Sequence, residues 1–178
     1  IVEHFGAVAV VAIDDRGRVA MVEQYRHSVG QRLLELPAGL LDIHAEDELD
    51  CAKRELQEEA GLAAEEWGVL VDLVTSPGFA EEAVRVFIAR GLREVDRPEA
   101  EDEEADMRLS WVGLDDAAGK ALAGEITNSI AVSGILAAAH LLASGASPRS
   151  VDEPFRFRPA SLANRRSAQG IVPDMKRI

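Results

Sequence analysis

Residues 54–62 read Arg-Glu-Leu-Gln-Glu-Glu-Ala-Gly-Leu, and this stretch constrains the fold more than any other part of the chain. Its three glutamates, at positions 55, 58 and 59, are spaced i, i+3 and i+4, so a helix would place them on one face. Like charges at this spacing repel each other, and a bound cation would offset the repulsion. Carboxylate oxygens are hard ligands that suit Mg²⁺, Mn²⁺ or Ca²⁺. The alternative is a solvated acidic helix face that binds nothing.

The flanking residues predict where this helix begins and ends. Asp47 or a neighbour can cap its N-terminus, and Gly61 is placed to end it in the left-handed C′ conformation. An apolar stripe at helical spacing would face the core, and its members are Leu49, Ala52, Leu56 and Ala60. Upstream, residues 33–36 read as a short strand, and a loop containing Gly39 follows. The predicted order is therefore strand, glycine-containing loop and carboxylate helix.

This order of residues resembles the Nudix hydrolases, whose signature is a glycine, a glutamate, and then Arg-Glu-aliphatic-any-Glu-Glu-any-Gly-aliphatic. Here Gly39 is followed after six residues by Glu46, and seven more residues lead to Arg54. Every fixed position is present, but the spacer between Gly39 and Glu46 is one residue longer than in the signature. The extra residue lengthens the loop before the helix and bears only on Glu46. The resemblance implies an α/β protein with the Nudix fold, a mixed β-sheet sandwiched between α-helices (α/β/α).

The resemblance also implies roles for the residues of the signature. Glu55 and Glu59 would ligate a metal, and Glu58 would ligate it or orient the catalytic group. The backbone carbonyl of Ala38 would add a ligand, and Arg54 would hold the glutamates in place. The implied cofactor is Mg²⁺, for which Mn²⁺ can substitute. The positions with a structural role in the motif are Gly39, Glu46, Arg54 and Gly61.

Pro77 narrows the expected substrate. It lies sixteen residues after Gly61, and Nudix members that cleave ADP-ribose resemble this chain in having a proline there. Ser-Pro-Gly favours a tight, rigid turn that could form one wall of a pocket, and Phe79 could stack on a base. The alternatives are an ordinary turn and a core phenylalanine. The candidate substrate-binding residues of this loop are Pro77, Gly78, Phe79 and Glu82.

Arg26 is the candidate phosphate contact. The segment 22–27 resembles a strand end that faces the substrate in ADP-ribose pyrophosphatases. A guanidinium can bind two phosphate oxygens at once, which suits Arg26 to this position. His27 has the chemistry for acid–base work, and the alternative for it is a hydrogen-bonded structural histidine.

A catalytic base is expected in residues 94–106, which contain eight acidic residues and one arginine. Such a run usually forms a solvated loop. ADP-ribose pyrophosphatases resemble this chain in carrying a glutamate on an acidic loop at this place, where it deprotonates or positions the attacking water. By this resemblance Glu103 is the first candidate and Glu104 the second.

Composition limits the partners. The chain has 178 residues and a net charge of −13, which argues against a nucleic-acid backbone as ligand. No apolar run is long enough to cross a membrane, and no secretory pattern opens the chain. The single cysteine, Cys51, is expected to be a buried side chain and fits a reducing, cytoplasmic compartment. The resemblance implies a homodimer.

We predict one domain over residues 1–145, followed by an extended C-terminal arm, residues 146–178, that belongs to it. This arm has seven basic residues and three acidic ones after position 148. It and an apolar helix over residues 128–144 could serve an interface or pack within one subunit. The other predicted elements are strands at 5–13, 18–24, 68–75, 83–89 and 107–112, a hairpin turn at 14–17, and a helix at 114–123.

The function that follows from the resemblance is metal-dependent hydrolysis of the pyrophosphate bond of ADP-ribose to AMP and ribose 5-phosphate. One alternative is a Nudix hydrolase of another nucleoside diphosphate derivative, such as a sugar nucleotide or NADH. The other is a non-catalytic module that binds ADP-ribose. Such modules typically lose glutamates of the signature, whereas this chain retains all three.

Overall fold

A computed structural model describes residues 1–98 and 107–171 of the chain. Within these residues, no helix combines the length and the apolar character needed to cross a lipid bilayer. The elements in chain order are β1 (Ala7–Ala12), β2 (Arg18–Arg26), β3 (Gln31–Glu35), β4 (Ala38–Leu40), α1 (Glu48–Ala60), β5 (Leu62–Val74), β6 (Ala83–Glu94), β7 (Arg108–Gly113), α2 (Leu114–Leu122), α3 (Ser129–Ser144) and α4 (Ser161–Ala168).

The described strands form two sheets. A four-stranded mixed sheet has the order β4-β1-β6-β5, in which β1 and β6 are parallel, and an antiparallel sheet has the order β3-β2-β7. Every residue of β1 is buried, because successive side chains point to opposite faces and both faces are covered. Val8 and Val10 belong to a core cluster with α1, whereas Ala9 and Val11 belong to one with α3. The predicted α/β/α arrangement is confirmed.

The predicted hairpin turn at 14–17 forms, since Gly17 N–H donates to the Asp14 carbonyl at 2.9 Å and Asp14 N–H donates to the Arg18 carbonyl at 3.0 Å. The flanking strands pair only next to the turn, at a single antiparallel bridge between Ile13 and Val19, and then separate. Within the mixed sheet, β6 pairs along the whole of β1, and β4 pairs with the other edge of β1 at Ala7–Ala9. β2 instead forms the centre of the second sheet, between β3 and β7.

Two strands are longer than their apolar patterns predict. β5 begins at Leu62, directly after the left-handed cap Gly61, and it pairs with β6 as far as Glu94. The polar pair Glu65 and Glu66 interrupts the alternation that identifies a strand from sequence. These residues nevertheless lie in the strand, because the backbone of β5 pairs with that of β6. Residues 38–40, predicted as loop, form the short strand β4.

Helix α3 is less enclosed than its apolar sequence predicts. Only one face is buried, comprising Ala131, Gly134, Ile135 and Ala138. Asn128 caps its N-terminus, with its side-chain oxygen accepting from Ala131 N–H at 2.9 Å. Leu142, near the other end, is exposed.

The segment after Ser144 is not simply an extended arm. It exchanges two backbone hydrogen bonds between Arg149 and Val69, at 2.9 and 3.0 Å, which place it against β5. Phe155 is buried in the core cluster that includes α1. Residues 161–168 form α4, which the sequence pattern did not predict, because this helix is short and mostly polar.

Candidate active site

Arg54 links three glutamates of the signature. Its guanidinium donates to both carboxylate oxygens of Glu46, at 2.8 and 2.9 Å, and to Oε2 of Glu58 at 2.9 Å. It also donates to Oε1 of Glu55. Burial alone would lower the pKa of Arg54, but the hydrogen bonds to Glu46 and the charge of Glu55 outweigh burial and raise that pKa. Arg54 is therefore a permanent cation to which the glutamates are anchored.

Two of the glutamates lie against β4. Ala38 N–H donates to Oε2 of Glu59 at 2.9 Å. A Cβ atom on Gly39 would lie 2.0 Å from Cδ of Glu55, so only glycine leaves room for that carboxylate. Further along, the Cys51 thiol donates to the Leu40 carbonyl at 3.3 Å. Helix α1 therefore runs antiparallel to β4 and presents its acidic face to it.

The local sequence explains why α1 is placed so regularly. Asp47 caps it, accepting from Asp50 N–H at 2.8 Å, and Gly61 ends it with φ of 65°. The extra residue of the spacer is absorbed before the helix, where Ala45 adopts a left-handed φ of 63° and Glu46 N–H donates to the Ile43 carbonyl at 3.3 Å. The loop thus returns Glu46 to Arg54.

Carboxylates are crowded together in this cluster. Glu46, Glu55 and Glu58 share the guanidinium of Arg54, and Glu55 and Glu59 are each less than a tenth exposed. Buried carboxylates are stabilised by a nearby cation or by hydrogen bonds. In the described part of the chain, no three acidic, histidine or cysteine side chains already converge as a metal site. The donor set nevertheless has the oxygen chemistry that a hard divalent cation requires.

Arg26, the candidate phosphate contact, forms a bidentate ion pair with Glu35. Its Nε and Nη2 donate to the two carboxylate oxygens at 2.9 and 2.7 Å. Glu35 is buried, whereas the Arg26 side chain is 45% exposed. Glu35 lies three residues before Ala38, so this pair is close along the chain to the glutamate cluster. Glu35 was not identified from sequence, although a lone acid in the apolar run Leu-Leu-Glu-Leu was a signal for a buried ion pair.

The loop of Pro77 and Gly78 lies at the far end of β5 from Gly61. Phe79 is 64% exposed, so the alternative that it is a core residue is wrong. Glu82 accepts a hydrogen bond from the Thr75 hydroxyl and lies 3.5 Å from Nε2 of His4. Val8 pairs with Gly39 on one side and with Arg85 on the other. By this register the loop lies roughly 15 Å from Gly39, three residues along and two strands across.

The two candidate bases, Glu103 and Glu104, lie outside the described residues. The described residues before them are held at the C-terminal end of α1. Val95 N–H donates to the Gly61 carbonyl at 2.9 Å, and the Gln57 side chain donates to the Asp96 carbonyl at 2.9 Å. Residues 95 and 96 therefore lie at the end of α1 that carries Glu58 and Glu59.

A cavity of about 400 Å³ lies away from this cluster, between the edge of the mixed sheet and the end of α3. Its walls include Glu66, Arg90 and Leu142. None of the residues in the signature lines it. The chemistry of the glutamate cluster, rather than the size of this cavity, identifies the candidate active site.

Known proteins resemble this chain in sequence and in fold. An ADP-ribose pyrophosphatase of Mycobacterium tuberculosis is 55% identical over 94% of this chain and 81% of the relative. An ADP-ribose pyrophosphatase of Bacillus subtilis is 41% identical over 66% of this chain and 63% of the relative. A solved structure described as an ADP compounds hydrolase has a TM-score of 0.69, with 22% identity, over 79% of this chain and 74% of that one, a likeness of fold. The model of the NUDIX domain matches residues 3–130, so this chain belongs to the Nudix family.

Proposed function

We propose that the protein hydrolyses the pyrophosphate bond of ADP-ribose, giving AMP and ribose 5-phosphate, in a metal-dependent reaction. The observation that carries the proposal is the anchoring of Glu46, Glu55 and Glu58 to the single guanidinium of Arg54. This arrangement orients carboxylates that would otherwise repel one another. The relative from Mycobacterium tuberculosis, with its 55% identity over nearly the whole chain, supports ADP-ribose as the substrate.

Glu55, Glu58 and Glu59, with the carbonyl of Ala38, would hold Mg²⁺, and Mn²⁺ would substitute for it. The carboxylates gathered on one face of α1, two of them buried, support this assignment, because oxygen donors of this kind suit a hard divalent cation. The chemistry that a divalent cation supplies in such a site is neutralisation of the pyrophosphate oxygens and activation of water. Glu58 is also a candidate to orient the catalytic group.

Side chains outside α1 would accept the proton and contact the phosphate. Glu103, or Glu104 in its place, would accept the proton of the attacking water, a role that typically contributes 10²–10⁴-fold to the rate. The anchoring of residues 95 and 96 supports this, because these residues lie at the end of α1 that carries Glu58 and Glu59 and lead into the acidic segment. Arg26 would contact a phosphate from the position in which Glu35 holds it.

The loop 75–82 would bind the rest of the substrate. Phe79 exposes an aromatic ring that could stack on the adenine. The end of its loop at Glu82 lies roughly 15 Å from Gly39, within the reach of a dinucleotide-sized ligand. Pro77 and Gly78 would shape the wall beside it. Glu82, held by Thr75, would offer a hydrogen-bond acceptor.

The test is the release of AMP from ADP-ribose at millimolar Mg²⁺, with and without EDTA, beside GDP-mannose, NADH and a nucleoside triphosphate. Turnover that is strongest on ADP-ribose and is abolished by EDTA supports the proposal. Stronger turnover of another compound retains the metal site and rejects Pro77 as a guide to the substrate. Tight binding of ADP-ribose without cleavage identifies a binding module instead.

Charge-removing variants test the individual roles. Glu55→Gln and Glu59→Gln should each weaken Mn²⁺ binding and turnover together, and retention of both would show that the assigned site is wrong. Glu103→Gln should lower kcat by at least about 10²-fold while Mn²⁺ binding changes little. If Glu104→Gln has that effect instead, Glu104 is the base.

We further propose a cytoplasmic homodimer. The support for a dimer is the apolar composition of α3, which is buried on only one face within the chain. The support for the compartment is the single buried cysteine, which needs no oxidising environment. Light scattering of the purified protein at micromolar concentration tests the dimer, since a mass of 19.2 kDa would identify a monomer.

A further inference from the structure

The C-terminal segment touches the loop that carries Glu46. Arg158 donates from Nη1 to Oε1 of Glu48 at 2.9 Å and from Nη2 to the backbone carbonyl of Glu46 at 3.4 Å. The second bond is long, so the ion pair with Glu48 contributes most of the contact. Glu48 is the first residue of α1. Arg158, more than a hundred positions later in the sequence, therefore contacts both Glu46, at the end of the loop, and Glu48, at the start of α1.

The backbone on both sides of Arg158 is held firmly. On the N-terminal side, the buried guanidinium of Arg85 donates to the carbonyls of Glu153 and Pro154, at 2.5 and 3.1 Å, and lies over the ring of Phe155 at 4.8 Å. On the C-terminal side, Pro159 packs so closely on the backbone at residue 6 that a Cβ there would lie 3.0 Å from its ring. The backbone that carries Arg158 is thus already fixed by contacts on both sides, so its contact with the loop requires the ordering of only its side chain.

The path from Arg158 to the proposed metal site is short. Glu46, whose carbonyl Arg158 contacts, binds Arg54 through both carboxylate oxygens. Arg54 in turn binds Glu55 and Glu58. The loop between Gly39 and Glu46 contains one residue more than the signature and a left-handed Ala45. A contact from outside this longer loop, such as that of Arg158, would help to fix the position of Glu46.

We propose that Arg158 is a positioning residue of the metal site, which acts by fixing Glu46 and, through Arg54, the glutamates of α1. This inference rests on the proposed function only in placing the metal at those glutamates. It assigns to the C-terminal segment a part in metal binding. Removing outer groups that orient metal ligands typically lowers metal affinity by 10–100-fold. Arg54 is such a group, and Arg158 lies two steps further out, beyond Glu46, so we expect a smaller effect.

The test measures Mn²⁺ binding by isothermal titration calorimetry on the full chain, without substrate. Arg158→Ala is expected to raise the Kd of Mn²⁺ by about three- to tenfold. Arg158→Lys should restore part of this affinity, because lysine keeps the ion pair but not the forked contact. Arg165→Ala is the matched control, since Arg165 also joins the C-terminal segment to the body of the protein, through Glu3, away from the signature. It should change the Kd by less than about twofold.

Repeating the measurement in the Glu46→Ala background distinguishes positioning of the metal ligands from a general loss of structure. Glu46→Ala removes the link to Arg54, so Arg158→Ala should have no further effect on the Kd in that background. An unchanged Kd in Arg158→Ala, an equal loss in Arg165→Ala, or a full additional loss in the Glu46→Ala background would each overturn the inference. If Arg158→Ala does not fold, Glu48→Gln removes the same ion pair from the other side and is judged by the same criteria. Wild-type protein that binds no Mn²⁺ would reject the proposed metal site itself.

Discussion

Replacing Gly39 by alanine should damage the proposed active site while leaving the fold intact. An alanine Cβ would lie 2.0 Å from Cδ and 2.1 Å from Oε1 of Glu55, whereas an ordinary contact begins near 3.4 Å. The carboxylate must therefore move by roughly 1.4 Å, the difference between these distances. The atoms in the way are the far end of a flexible side chain, so Glu55 can rotate aside at little cost to the backbone.

The size of the effect follows from this displacement. A misplacement of about 1 Å in a catalytic arrangement can lower the rate by about 10²-fold, which corresponds to about 2.7 kcal/mol of transition-state stabilisation. Moving Glu55 also removes its hydrogen bond with Arg54. We therefore expect Gly39→Ala to lower kcat/KM by about 10²-fold and to weaken Mn²⁺ binding by about 10-fold or more.

The assay combines steady-state hydrolysis of ADP-ribose, Mn²⁺ titration and thermal unfolding. Gly113→Ala is the control, because a Cβ at Gly113 meets nothing within 4 Å and its φ of −54° suits alanine. It should leave the kinetics unchanged. Near wild-type kcat/KM and Mn²⁺ affinity in Gly39→Ala would refute the reasoning that Glu55 needs the space beside Gly39. Loss of cooperative unfolding would refute the claim that only the site is affected.

Three further predictions concern stability and reactivity. Gly134→Ala would bring a Cβ within 2.8 Å of Leu36. The resulting overpacking destabilises the protein, and the higher helix propensity of alanine offsets part of this cost. The free energy of unfolding, measured in urea, should fall by about 1–2 kcal/mol. Arg85→Met leaves Asp72 without its buried partner and should lower that free energy by about 3 kcal/mol at pH 7. Burial would raise the pKa of Asp72, but hydrogen bonds from two arginines outweigh burial and lower that pKa. The stabilisation by Asp72 is therefore complete above about pH 4 and is lost as the pH falls through the folded-state pKa. Arg85→Met should accordingly lose less stability than the wild type between pH 5 and 3. Burial raises the pKa of the Cys51 thiol well above its ordinary value. The native protein at pH 8 should therefore not react with Ellman's reagent, whereas the denatured chain should react with one equivalent of it. Rapid reaction of the native protein would contradict this burial.

Short-range signals predicted the parts of the fold that position the glutamates. Asp47 and Gly61 bound α1 because capping depends on a few neighbouring residues, and the spacing of Glu55, Glu58 and Glu59 determines their common face in any helix. The apolar pattern likewise predicted strands at the positions of β5 and β6, though not the full length of either strand. Family membership followed from the same nine-residue stretch of sequence.

Long-range pairing decided the rest, and no local pattern contains it. The turn at 14–17 forms as the local sequence predicts, yet the strand after it pairs with β3 and β7 in the second sheet, whereas β1 pairs with β4 and β6. Arg26 bonds to Glu35 because the register of β2 against β3 brings the two within reach.

The sequence by itself determined α1, its acidic face and the spacing of the signature, since these depend on residues within a few turns of one another. Only the tertiary structure decided how those glutamates are held. It placed Gly39 under Glu55, returned Glu46 to Arg54 after a longer loop, and brought Arg158 to that loop. Each of these contacts joins residues whose distance in space is set by the packing of helix, sheet and C-terminal segment, and not by their separation along the chain.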